Sequence, residues 1–110
     1  MKKKLLYKGS LQTIVLKLLL DNERLYGYEI TQLVKKMSNN DFVITEGALY
    51  PCLHKLESEG FLQVEVEKVD HRIRKYYKLT QSGEKEVHDR IISFMDFVEN
   101  MQQLTKIKLV

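Results

Sequence analysis

The residues able to do covalent chemistry are scattered through the chain. His54, His71 and His88 form no HxxxH pair and no Cys/His spacing that would hold a metal. Cys52 stands alone beside Leu53 and Leu49, which reads as a buried, inert thiol rather than a nucleophile. Glu57 and Glu59 cannot share a helix face, so they make no acid/base pair. Gly27 and Gly47 belong to no phosphate-cradling loop. The pattern points away from catalysis, and no cofactor or metal is expected.

The basic residues are better organised. Lys plus Arg number 18 and Asp plus Glu 15, a formal net charge of only +3. Lys2, Lys3, Lys4 and Lys8 carry +4, and Lys68, Arg72, Arg74, Lys75 and Lys78 against Asp70 a further +4, which leaves −5 on all other residues. Two segregated basic patches on an acidic body fit a polyanionic partner better than the average suggests. Tyr76 and Tyr77 lie within the second patch. A solvated hairpin with incidental charge is its alternative, and a solubilising tail is the alternative for the first.

The elements that must position these residues follow from periodicity. Ser10 can cap a first helix, in which Leu11, Ile14, Val15, Leu18 and Leu19 recur at helical spacing and Leu16 and Leu20 widen the stripe. A second helix starts near Tyr26 and Gly27, buries Ile30, Leu33, Val34 and Met37, and stops at Ser38–Asp41. Phe42, Val43 and Ile44 read as an extended link. Thr45 caps a third helix, with Leu49, Leu53 and Leu56 inside. Pro51 is costly there, yet the leucine spacing runs straight through it. The period then drops to two. Leu62, Val64 and Val66 alternate with polar residues, a loop follows around Asp70 and His71, and Ile73 to Leu79 forms a second strand. Thr80 caps a last helix. There Val87, Ile91, Phe94, Val98 and Met101 step by four and three, the seam spacing of a coiled coil.

The expected fold is mainly α with a small β-hairpin: a winged helix-turn-helix over residues 1–80, with an N-terminal basic arm, plus a C-terminal dimerisation helix over 81–110. In such a plan the third helix enters the DNA major groove and the hairpin flanks the backbone. The exposed side of the third helix carries Glu46, Gly47, Tyr50, Pro51, His54 and Lys55, although Glu46, Glu57 and Glu59 would repel phosphate. A solvated face is the other reading of that side. No apolar run approaches the roughly 18 residues of a membrane span, and the three opening lysines are not followed by a signal-peptide core. With one cysteine, the expectation is a cytoplasmic protein without a disulfide framework.

These residues resemble the PadR-like transcriptional regulators. The likeness rests on Tyr26-Gly27-Tyr28-Glu29-Ile30, on Gly47-Ala48-Leu49-Tyr50-Pro51 with Leu53, Leu56-Glu57 and Gly60-Phe61-Leu62, and on Arg74-Lys75-Tyr76-Tyr77-Lys78-Leu79-Thr80 with Gly83. It covers about residues 9 to 100. The resemblance implies a homodimeric regulator, usually a repressor, on a palindromic operator, with the last helix packing on the partner's first helix. It also implies a small hydrophobic or phenolic effector in some members. The chain has no Trp, so an indole-stacking drug site cannot occur in that form. The expected DNA-binding residues are Tyr28, Thr45, Gly47, Tyr50, Pro51, His54, Lys55, Arg72, Arg74 and Lys75. The expected dimer interface is Leu11, Val15, Val87, Ile91, Phe94, Met95, Val98 and Met101. A winged helix used only to bind another protein is the alternative function, and a sensor with a pocket at the dimer interface is compatible with the first reading.

Overall fold

Thr45 and Thr80 both end an extended segment and both accept a helix-initiating N–H on Oγ1, from Ala48 at 3.2 Å and from Gly83 at 3.1 Å. These two caps set the frame of the fold. The computed structural model describes residues 9–106. The elements are α1 (Ser10–Asp21), β1 (Leu25–Tyr26), α2 (Gly27–Met37), α3 (Glu46–Ser58), β2 (Leu62–Val69), β3 (Arg72–Leu79) and α4 (Gln81–Thr105). The strands form one antiparallel sheet in the order β1-β3-β2. The chain is thus mainly helical with a winged hairpin, as its periodicity indicates. The basic N-terminal arm lies outside the described residues.

The core is a single cluster. Val15, Leu16, Leu18 and Leu19 of α1 meet Ile30 and Val34 of α2, Leu49, Leu53 and Leu56 of α3, Leu62 and Tyr77 of the sheet, and Val87 of α4. The broad apolar stripe of α1 is explained by this central position, since helices and sheet pack on it from several sides. Among the described residues no helix is long and apolar enough to cross a membrane, and no group of His, Cys, Asp and Glu is arranged to hold a metal.

Several local details differ from the sequence reading. Gly9, not Ser10, holds the cap position of α1. Its φ of 87° lies in the left-handed region, and its carbonyl accepts from the Thr13 N–H at 3.3 Å. Ser10 is therefore already helical and makes no side-chain cap. Leu25 and Tyr26 form a third strand ahead of α2, paired with Tyr77 and Tyr76. Two residues are too few to show an alternating pattern. Pro51 does lie inside α3. It removes the bond that the Gly47 carbonyl would accept, while the Thr45 cap and the buried leucines keep the helix continuous.

The wing overhangs the core. Leu62 is buried and Val64 half-buried, but Val66 is 62% exposed, so β2 is half-buried only along its first part. Asp70 and His71, with φ of 48° and 64°, make the two-residue turn at the tip. The last helix overhangs in the same way. Gly83 and Val87 are buried, and Ile92, Phe94, Met95, Phe97, Met101 and Leu104 are exposed.

Candidate nucleic-acid interface

The exposed side of α3 begins with the Thr45 cap. Its hydroxyl oxygen accepts from Ala48, which leaves the hydroxyl hydrogen able to donate to an external acceptor. Gly47 follows with open space around it; a Cβ there would meet only Thr45 Oγ1 at 3.9 Å. Tyr50, Pro51, His54 and Lys55 stand on the same exposed side. The Tyr50 and His54 rings lie 6.4 Å apart between centroids, one helical turn from each other. The opposite side is buried through Leu49, Cys52, Leu53 and Leu56. The structure therefore brings Thr45, Gly47, Tyr50, Pro51, His54 and Lys55 onto one accessible surface.

Tyr50 ties this surface to α2. Its hydroxyl packs over Gly27, the first residue of α2, where a Cβ would stand only 2.8 Å away. Tyr28, the next residue, is exposed. The start of α2 is held in turn by Glu29, whose carboxylate accepts from the Tyr26 N–H at 3.1 Å. Cys52 is buried beneath the same helix, and burial pushes its thiol up to about 11. That thiol is protonated and unreactive at neutral pH.

The sheet separates the wing residues that the sequence groups together. Side chains alternate across a strand, and directly opposed residues share a face. Arg72 and Arg74 lie opposite Val69 and Glu67, while Lys75 lies opposite Val66. Lys75 therefore occupies one face of the wing, and Arg72 and Arg74 the other. Arg72 is exposed, but the other basic groups of the arginine face, Arg24, Arg74 and Lys78, are engaged within the chain. Arg24 spans Glu65 and Glu67 at 3.2 and 2.7 Å, and Lys78 meets Glu65 at 3.2 Å. The Lys78 ammonium, then Arg24, hold the Glu65 carboxyl below its ordinary range. The Arg24 guanidinium lies 3.9 Å over the Tyr76 ring, and that of Arg74 lies 4.1 Å over the Tyr26 ring. Tyr26 and Tyr76 meet edge to face. Arg24 was not singled out from the sequence. Its partners stand 41 and 43 residues away, and no local pattern links them.

The expected dimer residues also divide. Val15 and Val87 are fully buried within the chain and offer nothing to a partner. Here α4 still crosses α1, and the helix pair consumes both side chains; Arg90 of α4 also donates to the Gln12 side chain of α1 at 2.7 Å. Leu11 and Ile91 are half-buried against the same core. Phe94, Met95 and Met101 are exposed and Val98 is half-buried, beyond the reach of the core.

Residues 15–89 match the family described as the transcriptional regulator PadR-like family. The chain belongs to that family. Its members are transcriptional regulators, not enzymes. A PadR-like transcription factor from Bacteroides fragilis is similar over 88% of this chain and 91% of its own, with a TM-score of 0.75 and 31% identity. The transcriptional regulator Rv3488 of Mycobacterium tuberculosis is 40% identical over 63 residues, 57% of this chain and 55% of the relative. The Bacillus subtilis PadR, solved in complex with operator DNA, is 33% identical with a TM-score of 0.69. That match covers 76% of this chain and 47% of PadR, so the chain spans about half of that regulator's length.

Proposed function

We propose that this PadR-like chain binds duplex DNA as a homodimer on a palindromic operator and represses transcription, beside the chromosome in the cytoplasm. One observation carries the reading: the side of α3 bearing Thr45, Gly47, Tyr50, Pro51, His54 and Lys55 is open, starts with small residues, and is flanked by a projecting hairpin with basic side chains. Small residues permit close approach to a groove, Tyr50 and His54 reach base edges or phosphates, and Lys55 neutralises a phosphate. Tyr28 adds a backbone contact from α2. The operator complex of the 33% identical PadR supports this use of the fold. Two such helices in a dimer would read half-sites about 34 Å apart.

The overhanging part of α4 is the dimerisation surface in this reading, and Phe94, Met95, Val98 and Met101 are its centre. In this reading an effector would sit in the groove of about 490 Å³ between α1, α2 and α4, whose apolar walls of Ile14, Leu18, Val34, Met37, Phe42 and Ile91 are edged by Thr13, Lys17, Asp21 and Ser38. Such walls suit a small hydrophobic or phenolic molecule. A thermal-shift screen with aromatic compounds tests that element.

Titration against the DNA upstream of its own coding region, at several salt concentrations, tests the main reading. Binding tighter than to random duplex, and weakening with salt, is the expected result. Equal affinity for both duplexes removes the regulator reading. The second reading, a winged helix that binds a protein, is favoured by the exposed Glu46 and Glu57 on α3 and Glu59 at its C-cap. It requires a protein partner and no salt-dependent DNA binding.

A further inference from the structure

The last helix is held to the core over its first part only. Gly83 and Val87 are buried, Ile91 packs against the core, and among the described residues no side chain beyond Ile91 joins it. Yet α4 runs on to Thr105. Its free part, residues 92–105, is about 21 Å long at the helical rise.

Arg90 stands where the helix leaves the core. Its Nε donates to the Glu86 carboxylate at 2.7 Å, one turn back on α4. An Nη donates to the Gln12 side chain of α1, also at 2.7 Å. The guanidinium lies 5.8 Å from the centre of the Phe61 ring, between α3 and β2. The Arg90 side chain is only 22% exposed, so these contacts are partly shielded from water. The bond to Glu86 stays within one helix and aims the guanidinium. Gln12 and Phe61 are the contacts that reach other elements. Apolar contact at the crossing of α1 and α4 is non-directional, whereas the Arg90–Gln12 bond prefers one length and one angle.

A helix that projects from a fixed end acts as a lever. A tilt of about 10° at Arg90 would move the far end of α4 by roughly 4 Å. One base pair advances duplex DNA by about 3.4 Å. The two lengths are of the same size. In a dimer joined through the free part of α4, a small change in the exit angle is therefore a change of about one base pair in the separation of the two α3 helices.

We propose that Arg90 is a positioning residue that sets the half-site spacing of the operator, by clamping α4 to Gln12 of α1 and to Phe61. The inference rests on the homodimeric DNA-binding reading and deepens it, since it assigns the spacing to side chains outside the α3 face.

The test is fluorescence anisotropy with the full chain and a series of labelled duplexes. Each duplex carries the upstream palindrome with its centre lengthened or shortened by one base pair. The wild type should prefer one spacing and lose about tenfold for a change of one base pair, which must be met by deforming the DNA. Gln12→Leu removes the acceptor on α1, and Arg90→Lys keeps the charge without the planar fork. Each variant should cut the loss to about threefold or move the optimum by one base pair. Affinity for a single half-site and the salt slope should be unchanged, because neither variant alters a charge or touches the α3 face. Gln12→Leu reads the clamp even where Arg90→Lys lowers stability. A spacing profile of wild-type shape in either folded variant overturns the proposal while DNA binding itself stands. So does a fall in melting temperature with all duplexes weakened alike, which marks a merely structural role. A wild type that is monomeric, or that has no preference for its upstream DNA over random duplex, overturns the underlying reading as well.

Discussion

The Tyr50 hydroxyl occupies the space over Gly27 where any larger residue would put its Cβ, at 2.8 Å. This contact sets the lateral position of a side chain on the open face of α3 from the first residue of α2. Replacement of Gly27 by Ala puts a methyl group against the free end of a partly exposed side chain, which can swing outward. The fold should lose little, within about 1 kcal/mol, since Ala is the better helix former. Operator affinity should fall about tenfold, the scale of one displaced base or phosphate contact. Urea unfolding and DNA titration on the same samples check this. A large stability loss with no change in affinity per folded molecule contradicts it.

Gly83 presents a harder constraint. A Cβ there would lie 2.1 Å from the Phe61 carbonyl oxygen, a backbone atom with no rotamer to change. The approach is locked by Thr80, whose N–H donates to the Phe61 carbonyl at 3.0 Å and whose hydroxyl donates to the Gly60 carbonyl at 2.6 Å. Gly83→Ala should cost about 3 kcal/mol or more by forcing α4 off the α3–β2 turn. The urea midpoint should fall, and DNA binding with it. A wild-type midpoint would refute the close approach.

Stability should decline in alkali through Cys52. Burial penalises its thiolate and pushes the folded value up to about 11, against about 8.5 for a free thiol. The Tyr77 hydroxyl is raised by burial as well. Both groups are neutral when protonated, and their folded values lie above the unfolded ones. Below about pH 8.5 their contribution is complete, and for the thiol it is lost as pH rises through about 11. Urea unfolding across that window should show stability falling for the wild type and falling less for Cys52→Ala. At neutral to mildly alkaline pH the native thiol should react with iodoacetamide far more slowly than the unfolded one. Equal rates would place the thiol outside the core.

The overhang of α4 predicts the assembly. Phe94 is 48% exposed and outside the core cluster, so Phe94→Glu should leave the protomer folded. In a dimer it would instead bury a carboxylate where a phenyl ring contributes about 2 kcal/mol per protomer. Sedimentation should show twice the chain mass for the wild type and a single chain for F94E. A monomeric wild type with the same melting curve as F94E would remove α4 as the interface.

Much of the fold is legible in the sequence because periodicity is a local property. The apolar spacings of α1, α2 and α3, the caps at Thr45 and Thr80, the alternation of β2 and β3, and the seam of α4 are all carried by residues within a few positions of one another. The α3 surface was legible for the same reason, since one helix defines both its buried leucines and its open side. Local patterns fail where chain-distant partners decide. Nothing near Arg24 announces Glu65 and Glu67, and nothing near Tyr26 announces a strand partner in Tyr76.

The sequence by itself determined the order of the four helices and the hairpin, the caps at Thr45 and Thr80, most of the buried face of each helix (though not Met37, which is exposed on α2) and the concentration of basic residues in the hairpin. Tertiary structure alone decided which of those basic residues share a surface, because strand pairing puts Lys75 and Arg74 on opposite faces and gives Arg24 its carboxylates. It also decided that Val15 and Val87 belong to the chain's own core while Phe94 does not. A seam pattern records which side of a helix is apolar. How far along that side the rest of the chain reaches depends on where α1 crosses α4, and that crossing is a contact between residues far apart in sequence.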